Sequence, residues 1–104
     1  EALTLVKKAG ADPALVHHAI QGGFADSKIL EIHGQRMIDN DFIAGAHSTT
    51  QRKDMDQAIE LAHSLGLKLP ATLLNRDLYD QMIKAGHGNR DHAALIKAID
   101  PDDC

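Results

Sequence analysis

The sequence predicts an all-α domain of about six helices in a compact bundle, running through residues 1–104 as one unit. Two observations carry that reading. Apolar residues recur every three or four positions in most segments, and runs of alternating Val, Ile and Thr that would mark strands are absent. Helix punctuation (Asp-Pro, Pro and Gly) also returns at short intervals, always where one apolar stripe ends and the next begins. No internal repeat or low-complexity segment interrupts the pattern.

The first helix is in rhythm from Glu1, with Ala2, Leu5, Val6 and Ala9 on one face and Gly10 as a left-handed stop. No capping residue precedes it, so residues 1–9 read as the end of a longer helix. Asp12-Pro13 is an N-cap followed by proline at the first helical position, where its missing N–H costs nothing. Val16, Ala19 and Ile20 form that helix's apolar side, and Gly22-Gly23 ends it. Ser27 or Asp26 caps a third helix with apolar-side positions Ile29, Leu30, His33 and Met37, which runs out at Asp39-Asn40-Asp41. Residues 42–50 read as a loop containing Gly45, with Ser48, Thr49 or Thr50 as the next cap. Met55, Ala58, Ile59, Ala62 and Leu65 give the clearest stripe, closed by Gly66. Pro70 opens a fifth helix in which Ala71, Leu74, Leu78, Met82 and Ala85 repeat nearly every fourth residue, and Gly86 closes it. Asp91 caps a last helix carrying Ala94, Leu95, Ala98 and Ile99, stopped by Pro101.

Composition excludes several function classes. Eleven Lys and Arg face fifteen Asp and Glu, a net charge of −4, and no helix gathers the basic cluster that nucleic acid or a membrane surface requires. No apolar run approaches the roughly 20 residues of a spanning helix, and no signal-peptide pattern is expected from the opening residues. The single cysteine, Cys104, makes neither an internal disulfide nor a thiolate metal site, so a reducing, cytoplasmic setting is the default.

Seven histidines raise a metal hypothesis. His17 and His18 are adjacent, so on a helix they point about 100° apart. His87 and His92 flank the turn Gly86-His87-Gly88-Asn89-Arg90-Asp91 and are the pair whose replacement would abolish zinc stabilisation if a site existed. No His-Glu-x-x-His or Cys/His array supports one, and scattered surface and helix-end histidines explain the count better. The glycine pairs lack the preceding strand of a dinucleotide fingerprint and read as helix stops. The close carboxylates Asp54/Asp56 and Asp102/Asp103 do not converge. Lys53 stands out: on this reading it sits in the first turn of the strongest helix, against the macrodipole, beside Asp54 and the small polar run 48–51. A solvated surface lysine is the competing reading on these grounds alone.

The ordered features resemble the C-terminal helical domain of the β-hydroxyacid dehydrogenases, the group of 3-hydroxyisobutyrate dehydrogenase and tartronate semialdehyde reductase. The matching residues are Glu1-Ala2-Leu3, Lys8-Ala9-Gly10-Ala11-Asp12 and Gly22-Gly23-Phe24-Ala25-Asp26-Ser27, followed by Asp41-Phe42, Gly45 and Lys53-Asp54-Met55. Leu69-Pro70, Gly86-His87-Gly88 and Asp91-His92-Ala93-Ala94-Leu95 complete a resemblance that runs nearly end to end.

The resemblance implies a bundle like the C-terminal domain of 6-phosphogluconate dehydrogenase-like enzymes, joined by a long helix to an N-terminal Rossmann domain that this chain lacks. It implies NAD or NADP as cofactor, a small β-hydroxyacid as substrate and a homo-oligomer, a dimer in the simplest case. The family's catalytic lysine lies earlier on the interdomain helix, so no catalytic residue is expected in this chain and the isolated domain should be inactive. Lys53 matches the lysine that reaches the cofactor near the nicotinamide, while Asp54 supports the helix end. Two positions depart from the pattern: Ala46, followed by His47, stands where many relatives carry an aromatic residue, and Ala93 where a serine is frequent. A free-standing helical interaction module without ligand is the alternative.

Overall fold

The structure, a computed structural model, describes residues 1–102; Asp103 and Cys104 lie outside the described residues. It is all-helical: α1 (Ala2–Lys8), α2 (Pro13–Ile20), α3 (Lys28–Asp39), α4 (Ser48–Ser64), α5 (Pro70–Met82) and α6 (Ile96–Ile99). A wide π-turn, Ile83–His87, extends α5, and a 3₁₀ turn, His92–Leu95, leads into α6. Among the described residues the nearest thing to a sheet is one isolated antiparallel bridge between His47 and Asp91.

Most helix ends follow the sequence signals. The Asp12 carboxylate accepts from the Ala14 amide at 2.8 Å, with Pro13 at the first helical position. Ser27 Oγ, rather than Asp26, caps α3 by accepting from the Leu30 amide at 2.9 Å. Asp26 instead accepts from the amide of Gly22. Asn40 ends α3 in the left-handed region at φ 54°, and Gly86 reaches φ 95°, a conformation costly for any residue with a Cβ.

The sequence places the core faces less well. In α1 the buried residues are Leu3 and Thr4, whereas Leu5, on the apolar face read from the spacing, is 72% exposed. In α5 Tyr79 and Met82 turn inward and Leu74 faces out. Leu65, the last residue of the predicted α4 stripe, is exposed as well. Periodicity identifies an apolar helix but not which of two apolar stripes meets a neighbour. The core gathers Phe42, Tyr79, Met82, Ala93, Ala94 and Ile96 where α5 and the last turns meet the loop after α3. Fully burying a side chain of the size of Met82 stabilises by roughly 1.5–3 kcal/mol. The small side chains of Ala93 and Ala94, which have no exposed surface at all, allow the 3₁₀ turn to sit this close.

His17 also departs from the surface placement expected for the histidines. It is buried between α2 and α3, donating from Nε2 to the carbonyl of Leu30 at 2.7 Å. Gly34 makes room for it: a Cβ there would lie 2.6 Å from His17 Nε2. Glycine serves here for close approach, not for an unusual φ.

Candidate functional site

The site assembles around the start of α4. Expected cap residues Ser48, Thr49 and Thr50 do not cap it: the helix begins at Ser48, the N-cap is His47, and no side chain caps the end. The backbone of residues 88–91 does this instead. The Ser48 amide donates to Arg90 O at 2.9 Å and the Thr49 amide to Gly88 O at 3.3 Å, while the Thr50 amide turns back to His47 O. A main-chain strap therefore satisfies the amides that a helix N-terminus normally leaves open. Ser48, fully buried, reinforces the strap by donating from Oγ to both Arg90 O and Asp91 O.

Because α4 starts at Ser48, Lys53 lies in its second turn, not its first, and the macrodipole argument for it loses its force. A phosphate cannot be held by the amides of this helix end either, since they are already bonded. What remains is the side-chain face. Thr50, Lys53 and Gln57 fall at i, i+3 and i+7 and are all exposed, with Lys53 62% exposed and its ammonium 3.5 Å from the carboxylate of the neighbouring Asp54. Such an exposed pair is weak and leaves the ammonium able to meet an external anion.

The opposite side of α4 is tied down. Arg52 donates from Nε to Asp80 of α5 at 2.7 Å and also pairs with Asp56, which in turn accepts from Arg76 at 3.1 Å. The Arg52 hydrogen bond, outweighing partial desolvation, holds the Asp80 carboxyl below the usual carboxylate range. Of the paired carboxylates, then, Asp56 clamps α4 to α5 and Asp54 neutralises its neighbour, and they do not converge on a common ligand.

Asp91 was expected only as a cap, and it is one, accepting from the Ala93 amide at 3.0 Å. It also does what no sequence signal announced. Its side chain is buried, pairs with Arg36 of α3, and accepts from the amide of Gly45 at 3.1 Å. Its own amide donates to Phe42 O at 3.0 Å. Burial pushes the Asp91 carboxyl up, but the Ala93 amide, the Arg36 guanidinium and the Gly45 amide outweigh it and leave the pKa lowered. Next to this charge Tyr79 is pushed up to about 12, chiefly by burial, and its hydroxyl points to His92 O at 3.4 Å.

His92 donates from Nε2 to His47 O at 3.2 Å and meets His33 edge-to-face at 6.0 Å between centroids. Among the described residues no group of three or more His, Cys, Asp or Glu could hold a metal ion. Among them, too, no helix is long and apolar enough to cross a membrane.

Lys53 stands exposed on this face with Thr50 and Gln57, which carry hydrogen-bonding groups, on either side of it. Comparison with known proteins identifies the family. Residues 1–99 match the family model described as NAD-binding of NADP-dependent 3-hydroxyisobutyrate dehydrogenase. The chain is 42% identical over 100 residues to 2-hydroxy-3-oxopropionate reductase of Escherichia coli, covering 96% of this chain and 34% of that protein. It is 31% identical over 100 residues to a probable mitochondrial 3-hydroxyisobutyrate dehydrogenase-like protein of Arabidopsis thaliana, covering 96% and 30%. The crystal structure of 3-hydroxyisobutyrate dehydrogenase from Salmonella typhimurium superposes with a TM-score of 0.88 at 24% identity, over 93% of this chain and 34% of that one. The chain thus spans about a third of the length of the relatives it matches. With NAD or NADP as the family's cofactor, and a family model matched from end to end of its helices, the chain belongs to the NAD-binding helical domain family of the 3-hydroxyisobutyrate dehydrogenases.

Proposed function

We propose that this chain is the cofactor-contacting helical domain of an NAD(P)-dependent oxidoreductase acting on a small β-hydroxyacid. The observation that carries the reading is Lys53, held out to solvent on a helix whose other side is clamped to α5 and whose first turn is closed by main chain. The bound nicotinamide supplies the hydride chemistry. Lys53 contributes a positive charge toward the dinucleotide near the nicotinamide, and Thr50 and Gln57 offer hydrogen bonds beside it.

On the same reading α1 is the end of the helix that links this domain to an N-terminal Rossmann domain, and the bundle is akin to the C-terminal domain of 6-phosphogluconate dehydrogenase-like enzymes. The general acid/base belongs to the Rossmann-bearing part, in a cytoplasmic enzyme. This domain walls one side of the cleft and supplies a subunit interface in a homodimer. Large apolar side chains left in solvent, among them Leu5, Leu15, Ile29, Leu61 and Leu65, support the last point.

The experiment is Lys53→Ala in the complete enzyme, with NAD(P)H binding followed by fluorescence. Losing a charge-assisted contact of about 1.5–3 kcal/mol raises the dissociation constant by roughly ten-fold or more. An unchanged dissociation constant removes Lys53 from the site. The 104 residues alone should show no hydride transfer, and measurable turnover by them would overturn the assignment of chemistry to the Rossmann-bearing part.

A further inference from the structure

We propose that Asp91, together with Arg36, is a positioning pair for the cofactor site: it holds residues 42–47 and the start of α4 as one body and so sets where the face carrying Lys53 stands. The inference rests on the function proposed above and adds residues that neither touch the ligand nor belong to α4.

An N-cap needs one carboxylate oxygen, and Oδ1 of Asp91 serves that need through Ala93. Oδ2 is left to a different purpose, accepting from Gly45, 46 residues earlier, and from Arg36 on α3. Asp91 is 2% exposed, so its charge is held in the interior at a desolvation cost that a neutral cap would not incur. A neutral Ser or Asn would cap the last helix without that cost.

The loop depends on the pair. Its middle, Ala44-Gly45-Ala46, has no side chain large enough to anchor itself. Gly45 lies directly on the ion pair, where even a Cβ would stand 3.4 Å from both terminal nitrogens of Arg36 and 3.5 Å from Asp91 Oδ2. The Asp91 amide fixes the front of the loop through Phe42 O, and Ser48 fixes its end through Arg90 O and Asp91 O. One residue thus ties α3, the loop, the last helical turns and α4, and Lys53 follows on that helix by roughly 9 Å of axial rise from His47.

The test uses the complete enzyme and two variants that disturb the arrangement differently. Asp91→Asn keeps an acceptor for Ala93 and removes the charge facing Arg36. Gly45→Val leaves the pair intact and adds branches beyond a Cβ already at contact distance. Expected is a rise of about five-fold or more in the NAD(P)H dissociation constant or in KM for the hydroxyacid for each, with the double variant less than additive because both release one loop. Rates are taken per folded molecule, and Gly45→Val carries the test alone where Asp91→Asn does not fold. Lowered Tm with unchanged dissociation constant, KM and kcat in both variants overturns the proposal and reduces the pair to a structural tie. Lys53→Ala in parallel separates the two readings. If only Lys53→Ala shifts cofactor binding, the positioning pair falls and the Lys53 reading stands. If only the pair variants shift it, the Lys53 reading falls and the pair acts through the loop.

Discussion

The first three helices and the last three are held by different kinds of force. In α1–α3 each helix is ended by its own neighbours in sequence: Asp12 and Pro13 start α2, Ser27 starts α3, Asn40 ends it. Few side chains are buried there, and Leu5, Leu15, Phe24 and Ile29 stand in solvent. From Phe42 onward the ties run across the chain. Asp91 reaches back to Gly45 and Arg36, Ser48 reaches forward to Arg90, and a shared core forms around Met82. Local signals are enough to make helices, whereas placing α4 against the rest requires groups distant in sequence to agree on one geometry.

That contrast can be broken by mutation. The largest effect should come from Asp91→Ala, which leaves the Arg36 charge and the Gly45 and Ala93 amides without their acceptor. A loss of roughly 3 kcal/mol is expected in urea unfolding. The same residue gives the contrast a pH signature. With its pKa lowered in the folded state, Asp91 contributes stability that is complete above its ordinary value of 3.8 and is lost as pH falls through the lowered one. Asp91→Asn should therefore flatten the acid limb of a stability–pH curve, and an unaltered limb would mean that the buried charge is not what holds this half.

Next is Gly34→Ala, which forces the His17 ring off Leu30 in a tightly fitted contact of the first half, at a cost of about 2 kcal/mol by thermal melting. Smallest is Asp12→Ala, a lost helix cap worth about 1 kcal/mol. If Asp12→Ala proved as damaging as Asp91→Ala, the distinction between locally and distantly held halves would collapse.

The same division explains what could be read from the sequence. Helix number, most boundaries, the stops at Gly10, Gly22, Gly66 and Gly86 and the caps Asp12, Ser27 and Asp91 follow from residues within four positions of one another. The start of α4 was misplaced because its cap is main chain from residues 88–91, and backbone groups carry no residue signature. Moving that start put Lys53 a turn deeper into the helix than its spacing from Thr50 suggested. His17 reads as a surface histidine until Gly34 is seen beneath it, and Leu3 and Leu5 are equally apolar until the neighbouring helix chooses between them. For Asp91 the cap was legible and the other four ties were not, since partners more than 40 residues away in sequence leave no periodic trace.

The strap over α4 also sets a clock. The first amides of a helix ordinarily trade their protons with solvent fastest, because they have no acceptor within the helix. Here those of Ser48 and Thr49 are bonded to Arg90 and Gly88, so their deuterium uptake should proceed only when the strap lifts. In this molecule the leading end of α4 would then exchange in step with the core, and slow uptake at two backbone amides would report how often the strap of residues 88–91 lifts from it.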